Sequence, residues 1–119
     1  MVRRDTNKKE SVPIKELKRR TSEMLEEIQS GLFEKAKKLL NGALVEADNM
    51  ASVKGAISGK KIALVPLCGD TECEDMLKSE TGGAKVLNIP EKQPAKLGKS
   101  KCIVCGKKAQ YFGRVAKSY

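Results

Sequence analysis

Four cysteines in two close pairs constrain this chain of 119 residues more than any other feature of its sequence. A Zn²⁺ ion binds four soft ligands at the corners of a tetrahedron, and two short-range pairs on tight turns can supply those corners. The spacing therefore predicts one structural zinc ion. Its predicted ligands are the pair Cys68-x4-Cys73 and the pair Cys102-x2-Cys105, which lie 28 residues apart.

Four other uses of the cysteines remain open on sequence alone. Two disulfides would fit the count, although a reducing compartment keeps thiols free. A thioredoxin-like redox pair at Cys102 and Cys105 normally opens a helix, whereas Gly106 leads into a strand-like segment. An iron–sulfur cluster also accepts four cysteines. Catalytic zinc would need an open coordination position, which four cysteines close.

The size of the chain makes a structural metal useful. Apolar residues are 39% of the sequence and aromatic residues only 3%, so the core must be aliphatic and modest. The part from residue 42 onward is near the size at which a core alone contributes only a few kcal/mol. A structural zinc site adds on the order of 10 kcal/mol in apparent binding free energy.

The charge is positive and unevenly distributed. Lys and Arg number 24 against 15 Asp and Glu, a net charge of +9, and residues 91–119 alone carry eight basic groups and one acidic group. Such a balance suits a polyanion such as RNA, or simply a solvated Lys-rich surface. The sequence contains no histidine, which removes the usual general base near neutral pH and the usual ligand of catalytic zinc.

The hydropathy pattern indicates a cytoplasmic protein without a membrane partner. No apolar run approaches the roughly 18 to 20 residues of a membrane helix. The first residues, MVRRD, have no apolar segment behind their charges and do not resemble a signal peptide.

Periodicity predicts an α/β (α+β) two-layer sandwich in which a long helix precedes β-α-β-α-β-β. The long helix covers residues 13–41, because apolar residues recur there at spacings of three and four. Asp70 or Thr71 starts the last helix, and Thr71 with Glu74 fits a capping box there. The polar arm 1–12 and the Lys-rich loop 90–101 are the two candidates for disorder. The domain proper would then be residues 42–119.

Several segments form a recognisable series along the chain. Residues 64–74, LVPLCGDTECE, contain a CG-x3-CE motif, and residues 101–109, KCIVCGKKA, contain the second cysteine pair. Residues 111–119 end on a tyrosine, and residues 3–6 and 26–36 add shorter matches. In this order the segments resemble the C-terminal end of prolyl-tRNA synthetases of the archaeal and eukaryotic type.

The resemblance carries specific implications. It implies a fold like the C-terminal domain of a bacterial translation initiation factor, a linker helix at 13–41, and an arm at 1–12 left from an anticodon-binding domain. It implies zinc on Cys68, Cys73, Cys102 and Cys105. It also implies a homodimeric parent enzyme that joins proline to tRNA using ATP and Mg²⁺, with the terminal carboxylate of Tyr119 reaching toward its active site.

Two main functions follow as hypotheses. The chain has no room for the catalytic module, so we expect it not to activate proline by itself but to pack on the catalytic and anticodon-binding domains of the parent. The alternative is a free-standing basic zinc module that binds RNA, with Tyr111 and Phe112 either stacking on bases or facing the core. A thiol oxidoreductase, with an accessible low-pKa Cys102, is a third class.

Overall fold

The long helix predicted from the apolar periodicity is present in the structure, a computed structural model that describes residues 1–118. One 3-10 turn (Ile14–Glu16) leads into α1 (Leu17–Ala43). Among the described residues, no helix is both long and apolar enough to cross a membrane. By its contacts the chain divides into two units, Met1–Asn41 and a second unit from Gly42 onward.

The first ten residues form a small hairpin, so the expectation of a disordered arm was wrong. Val2 and Lys9 pair as an antiparallel bridge. Arg20 of α1 donates a hydrogen bond to Glu10 at 2.7 Å, and Arg3 of the hairpin donates one to Glu27 of α1 at 2.7 Å. These ion pairs tie the hairpin to the helix. The polar composition of this segment predicts disorder, because the sequence does not show which of its charged side chains form ion pairs in the fold.

The second unit contains the predicted order of strands and helices, and the α+β fold is confirmed. Its elements are β1 (Leu44–Glu46), α2 (Met50–Ser58), β2 (Ile62–Leu67), α3 (Thr71–Glu80), β3 (Lys85–Asn88) and β4 (Tyr111–Ala116).

The four strands form one mixed sheet in the order β1-β2-β4-β3. Strands β1 and β2 are parallel, whereas β4 is antiparallel to both β2 and β3. Ala63, Val65 and Leu67 alternate along β2 on one face of the sheet, and each is fully buried. They share an aliphatic core with Val53 of α2 and Leu77 of α3.

The helix starts agree with the sequence only in part. Asn49 caps α2, since its side chain accepts a hydrogen bond from the backbone of the first turn at 2.8 Å. The capping box predicted for α3 is wrong. Asp70 occupies the N-cap position and makes no side-chain capping bond, while Thr71 is the first residue inside the helix. Glu74 is therefore free to bond elsewhere.

The Lys-rich loop between β3 and β4 is ordered, contrary to expectation. It contains a 3-10 helix (Ala95–Lys99). The Gln93 side chain accepts a bond from the Phe112 backbone N–H at 2.7 Å and donates to its carbonyl at 3.3 Å. Phe112 is only 1% exposed. The loop is thus tied to β4 by one side chain.

Candidate metal centre

The first cysteine pair lies where β2 passes into α3. Cys68 follows the last residue of β2, and Gly69 turns the chain with a φ of +84°, a conformation that glycine adopts without strain. Cys73 lies in the first turn of α3, where its N–H bonds to the Asp70 carbonyl at 3.1 Å. A helix N-terminus favours negative charge, so this position suits a thiolate.

The second pair lies on a tight hairpin before β4. Lys101 and Lys108 pair across this hairpin as an antiparallel bridge. The Cys102 N–H bonds to the Lys107 carbonyl at 2.7 Å, and the Gly106 N–H bonds back to Cys102 at 2.9 Å. Gly106 has a φ of +72°. The turn therefore directs Cys102 and Cys105 toward the same point.

Two backbone hydrogen bonds hold this hairpin beside the end of β2. The Ile103 N–H bonds to the Pro66 carbonyl at 3.2 Å, and the Gln110 N–H bonds to the Leu67 carbonyl at 2.8 Å. Since Cys68 follows Leu67 directly, the sheet pairing itself brings the two cysteine pairs together.

The four sulfur atoms converge on one point. All lie within 4.8 Å of one another. The Sγ of Cys68 is 3.6 Å from that of Cys73 and 3.6 Å from that of Cys105. Metal–sulfur bonds of about 2.3 Å place the corners of a tetrahedron about 3.8 Å apart, whereas a disulfide is about 2.05 Å long. The set fits one tetrahedral ion, and the structure brings together all four cysteines singled out in the sequence.

The geometry also bears on the other uses of these cysteines. In a multi-iron cluster the four thiolates are divided among two or four irons, which spreads the sulfurs more widely than around a single ion. A thioredoxin-like pair would open a helix, but Cys102 and Cys105 lie on a hairpin turn. A tetrahedral four-thiolate set is typical of zinc or of a single iron.

The thiols respond differently to their surroundings. Burial raises the pKa of the Cys73 thiol. Burial also raises the pKa of the Cys102 thiol, but the backbone N–H groups of Cys105 and Val104 outweigh it and lower that pKa to about 7. A metal ion binds all four cysteines as thiolates. Four thiolates this close together repel one another, so a bound cation is what makes the fully deprotonated set favourable.

A tyrosine and a glutamate that the sequence did not pair lie beside the metal centre. The Tyr111 hydroxyl donates a hydrogen bond to Glu74 Oε1 at 2.7 Å. Burial, with the carboxylate of Glu74, raises the pKa of Tyr111. A Cβ added at Gly69 would lie 3.6 Å from the Tyr111 ring. The ring therefore covers the turn that carries the first cysteine pair.

A charged pair lies on the open side of the centre, where Cys105 is exposed. Lys107 Nζ is 3.6 Å from Asp70 Oδ2. Asp70, followed by the Cys105 thiol, raises the pKa of Lys107. This lysine offsets part of the negative charge that four thiolates would bring.

The remaining site prediction concerns Tyr119, which lies outside the described residues. The expected approach of its carboxylate to an active site stays a prediction.

Comparison with known proteins places the chain among synthetases. Residues 50–119 match the family model of the prolyl-tRNA synthetase C-terminal region. Proline–tRNA ligase of Oceanobacillus iheyensis is 34% identical over 120 residues, covering 100% of this chain and 24% of the relative. The bifunctional glutamate/proline–tRNA ligase of Cricetulus griseus is 33% identical over 131 residues, covering 99% of this chain and 9% of the relative.

The fold has a matching crystal structure. Prolyl-tRNA synthetase from Cryptosporidium parvum, complexed with halofuginone and AMPPNP, superposes with a TM-score of 0.91 at 36% identity. The match covers 99% of this chain and 25% of that one. The chain thus spans a quarter or less of the length of these relatives.

Proposed function

The chain belongs to the prolyl-tRNA synthetase family, and on that premise we propose that it is the C-terminal zinc-binding domain of a proline–tRNA ligase. The observation that carries the zinc assignment is the convergence of four sulfurs within 4.8 Å. In this proposal residues 42–119 are the zinc domain, residues 13–41 are the linker helix, and residues 1–12 are the end of an anticodon-binding domain.

The proposed role of the metal is structural. Cys68, Cys73, Cys102 and Cys105 would hold one Zn²⁺ in a closed shell, which leaves no position for a substrate. The ion would join the start of α3 to the hairpin before β4. Zinc in a four-thiolate site supplies on the order of 10 kcal/mol of apparent binding free energy, and because the unfolded chain has no such site, that energy stabilises the fold.

The activity belongs to the parent enzyme in this proposal. The parent would attach proline to its tRNA using ATP and Mg²⁺, in the cytoplasm and as a homodimer. This chain would supply no catalytic side chain and would pack on the catalytic and anticodon-binding domains. Its support is the family membership, together with the short span of the match.

Elemental analysis of the freshly purified chain tests the metal assignment. We expect one zinc per chain, and a loss of most of that zinc in Cys73→Ser. Met76→Ser is the matched control, because Met76 is 54% exposed on the same helix. Iron in place of zinc, or a folded wild-type chain without metal, would contradict the proposal.

The parent activity needs its own measurement. The complete synthetase polypeptide should catalyse proline-dependent exchange between pyrophosphate and ATP, and the chain of 119 residues should not. Exchange with a different amino acid would refute the assignment to proline.

A second candidate function, RNA binding by the basic hairpin, rests on one observation. Lys101 and Lys108 lie directly opposite each other across the hairpin, and both are exposed. Like charges in that position repel, and a polyanion would relieve the repulsion. Stacking is not part of this candidate, because Phe112 is buried and the Tyr111 hydroxyl bonds to Glu74.

Titration with tRNA at several salt concentrations tests this candidate. Phosphate contacts give a steep fall of affinity with salt, and Lys101→Gln should reduce the slope by about one. Lys85→Gln, an exposed lysine on β3, is the control. Absence of binding at low salt would remove RNA binding from consideration.

A further inference from the structure

The face of the sheet that α2 and α3 leave uncovered carries a row of three side chains. Leu64 pairs with Glu46 on β1 and with Arg114 on β4, so the three lie side by side across neighbouring strands. Residues directly opposite each other in a sheet point to the same face, whereas the next residue of β2, Val65, points into the core beneath the helices. Arg114 therefore projects from the face away from α2 and α3.

A cavity of about 230 Å³ opens on this face, between β1, β2 and the loop that follows β3. Its walls are largely apolar and include Leu44, Leu64, Pro90 and Pro94. Gln93 holds the loop in place, since it donates to the Pro90 carbonyl at 2.7 Å and accepts from the Phe112 N–H at 2.7 Å. The cavity is thus preformed, as small-molecule sites usually are.

The charged groups at the cavity are mainly basic. Arg114 and Lys92 line it, and Glu46 is the single carboxylate among its described lining residues. Glu46 is already engaged, because Lys96 Nζ lies 2.5 Å from its Oε2. The negative charge of Glu46 is therefore offset, and the cavity presents a net positive charge to a ligand.

Arg114 is half-buried and lacks the partners that the other half-buried arginines have. Arg3 and Arg20 each form ion pairs with at least two carboxylates. Within residues 1–118, Arg114 forms no ion pair, and its guanidinium makes no side-chain hydrogen bond. Partial removal of a guanidinium from water costs free energy unless an anion compensates it. The position therefore calls for an anion that the described residues do not supply.

The walls and the charge together define the ligand. A guanidinium offers two parallel N–H donors, and a carboxylate satisfies both of its oxygens on that one fork. A phosphate would bring a further oxygen and more charge against largely apolar walls. The cavity is smaller than the roughly 300 Å³ at which sites for drug-sized molecules begin, so the ligand is small. We propose that this cavity binds a small carboxylic acid with an apolar body, its carboxylate held by Arg114.

A matched pair of probes tests the site in the freshly purified chain of 119 residues. Isocaproate carries the required carboxylate, and isocaproamide has the same shape without the charge. In a titration followed by amide NMR shifts, the acid should shift residues 44–46, 64 and 114 and bind with a roughly millimolar Kd. The amide should bind at least about tenfold more weakly, because it cannot form charge-assisted bonds to the guanidinium. Equal affinity of acid and amide would overturn the proposal.

Variants of Arg114 locate the bound acid. Arg114→Gln removes the guanidinium and should raise the Kd for isocaproate at least about tenfold, while Arg114→Lys keeps the charge without the fork and should give an intermediate Kd. Arg4→Gln is the matched control, because Arg4 is exposed in the first unit, and it should bind like wild type. An unchanged Kd in Arg114→Gln would place the acid elsewhere and contradict the proposal. The comparison of acid with amide uses the wild-type chain, so it decides the question even where a variant fails to fold.

Inorganic phosphate separates a carboxylate site from a general anion site. At the same concentration it should leave the shifted amides unchanged. If phosphate binds as tightly as isocaproate and competes with it, the apolar walls contribute nothing and the proposal is overturned. None of the described lining residues is a proposed zinc ligand, and pyrophosphate exchange measures the parent activity separately. Failure of the carboxylate site and failure of the proposed function are therefore distinguishable.

Discussion

Tyr111 joins two parts of the metal centre that are distant in sequence. It is the first residue of β4, and its hydroxyl reaches Glu74 on α3 at 2.7 Å. Glu74 follows Cys73 directly, so the bond ties the first turn of α3 to the strand that follows the second cysteine pair. One side chain thus supports both halves of the site.

Tyr111→Phe should weaken metal retention without altering the fold. The substitution keeps the ring over Gly69 and removes only the hydroxyl. Glu74 is half-buried and can bond to water instead, so we expect a loss of about 1 kcal/mol in the free energy of unfolding. Zinc should transfer faster to a colorimetric chelator, which measures the rate directly.

Glu74→Gln completes a double-mutant cycle with Tyr111→Phe. If the two residues act through one bond, the effects of the single variants should not add in the double variant. Additive effects, or transfer of zinc at the wild-type rate in Tyr111→Phe, would show that the bond does not support the metal.

The site illustrates which residue roles a sequence can reveal. Two cysteines within six residues form a signal that can be seen locally in the sequence. That the two pairs share one site follows from the four ligands that a structural zinc ion needs. The bond from Tyr111 to Glu74 spans 37 positions and joins residue types that are common on surfaces. The same is true of Lys107 and Asp70. Such partners depend on sheet pairing, which composition and spacing do not specify.

At the scale of elements, the Gln93 side chain makes the backbone hydrogen bonds to β4 that a neighbouring strand would otherwise make. Strand β3 pairs with β4 only at residues 114–116, which leaves the Phe112 backbone without a strand on that side. The Gln93 amide accepts from the Phe112 N–H and donates to its carbonyl. It also donates to the Pro90 carbonyl at 2.7 Å, which fixes the loop.

Gln93→Leu should destabilise the second unit by about 2 kcal/mol, because a buried N–H and a carbonyl would lose their partner. Denaturant unfolding measures the change. Lys92→Leu is the neighbouring control, since Lys92 is exposed and should give less than a quarter of the effect. Equal midpoints for wild type and Gln93→Leu would show that water replaces the amide.

Gly31 lies in the middle of α1, and its replacement should raise the stability of the protein, unlike Gln93→Leu. A Cβ added there meets nothing within 4 Å. Glycine inside a helix costs about 1 kcal/mol relative to alanine, so Gly31→Ala should stabilise the first unit by up to that amount and raise its helical melting midpoint. The circular dichroism signal at increasing temperature reads this out.

Gly69→Ala serves as the contrasting variant for Gly31→Ala. Gly69 has a φ of +84°, which an alanine adopts only with strain, so this variant should lose stability. A lower melting midpoint for Gly31→Ala would show that position 31 requires glycine, contrary to the open space around it.

Element identity was largely predictable, and element arrangement was not. The aliphatic run ending at Leu67 and the stop at Gly59 are local signals, and both strand and helix appear there. Sheet order depends on pairings between residues far apart, such as Ala63 with Val115. The polar composition of the N-terminal segment and of the loop 90–101 predicts disorder. Both are ordered, because their polar side chains bond to partners that only the fold brings near.

At the scale of the whole molecule, the second unit relies on two connected supports. Its aliphatic core includes Cys68, Cys73 and Cys102, so the metal centre is part of the core and not an appendage to it. The unit has fewer than 80 residues, a size at which natural domains often need a metal or disulfide in addition to the core. Loss of the ion should therefore affect both ends of the centre at once.

Chelation of the metal should loosen two distant segments together. In the zinc-free chain, amides of residues 68–75 and 102–116 should exchange faster and to a similar extent, because four thiols without a cation leave the start of α3 and the hairpin unlinked. Amides of α1 in the first unit should be unchanged. The same chelator saturated with zinc beforehand controls for its other effects. If elemental analysis verified complete removal and both segments kept their protection, the core alone would hold the second unit, and a structural role for the metal would have to be abandoned.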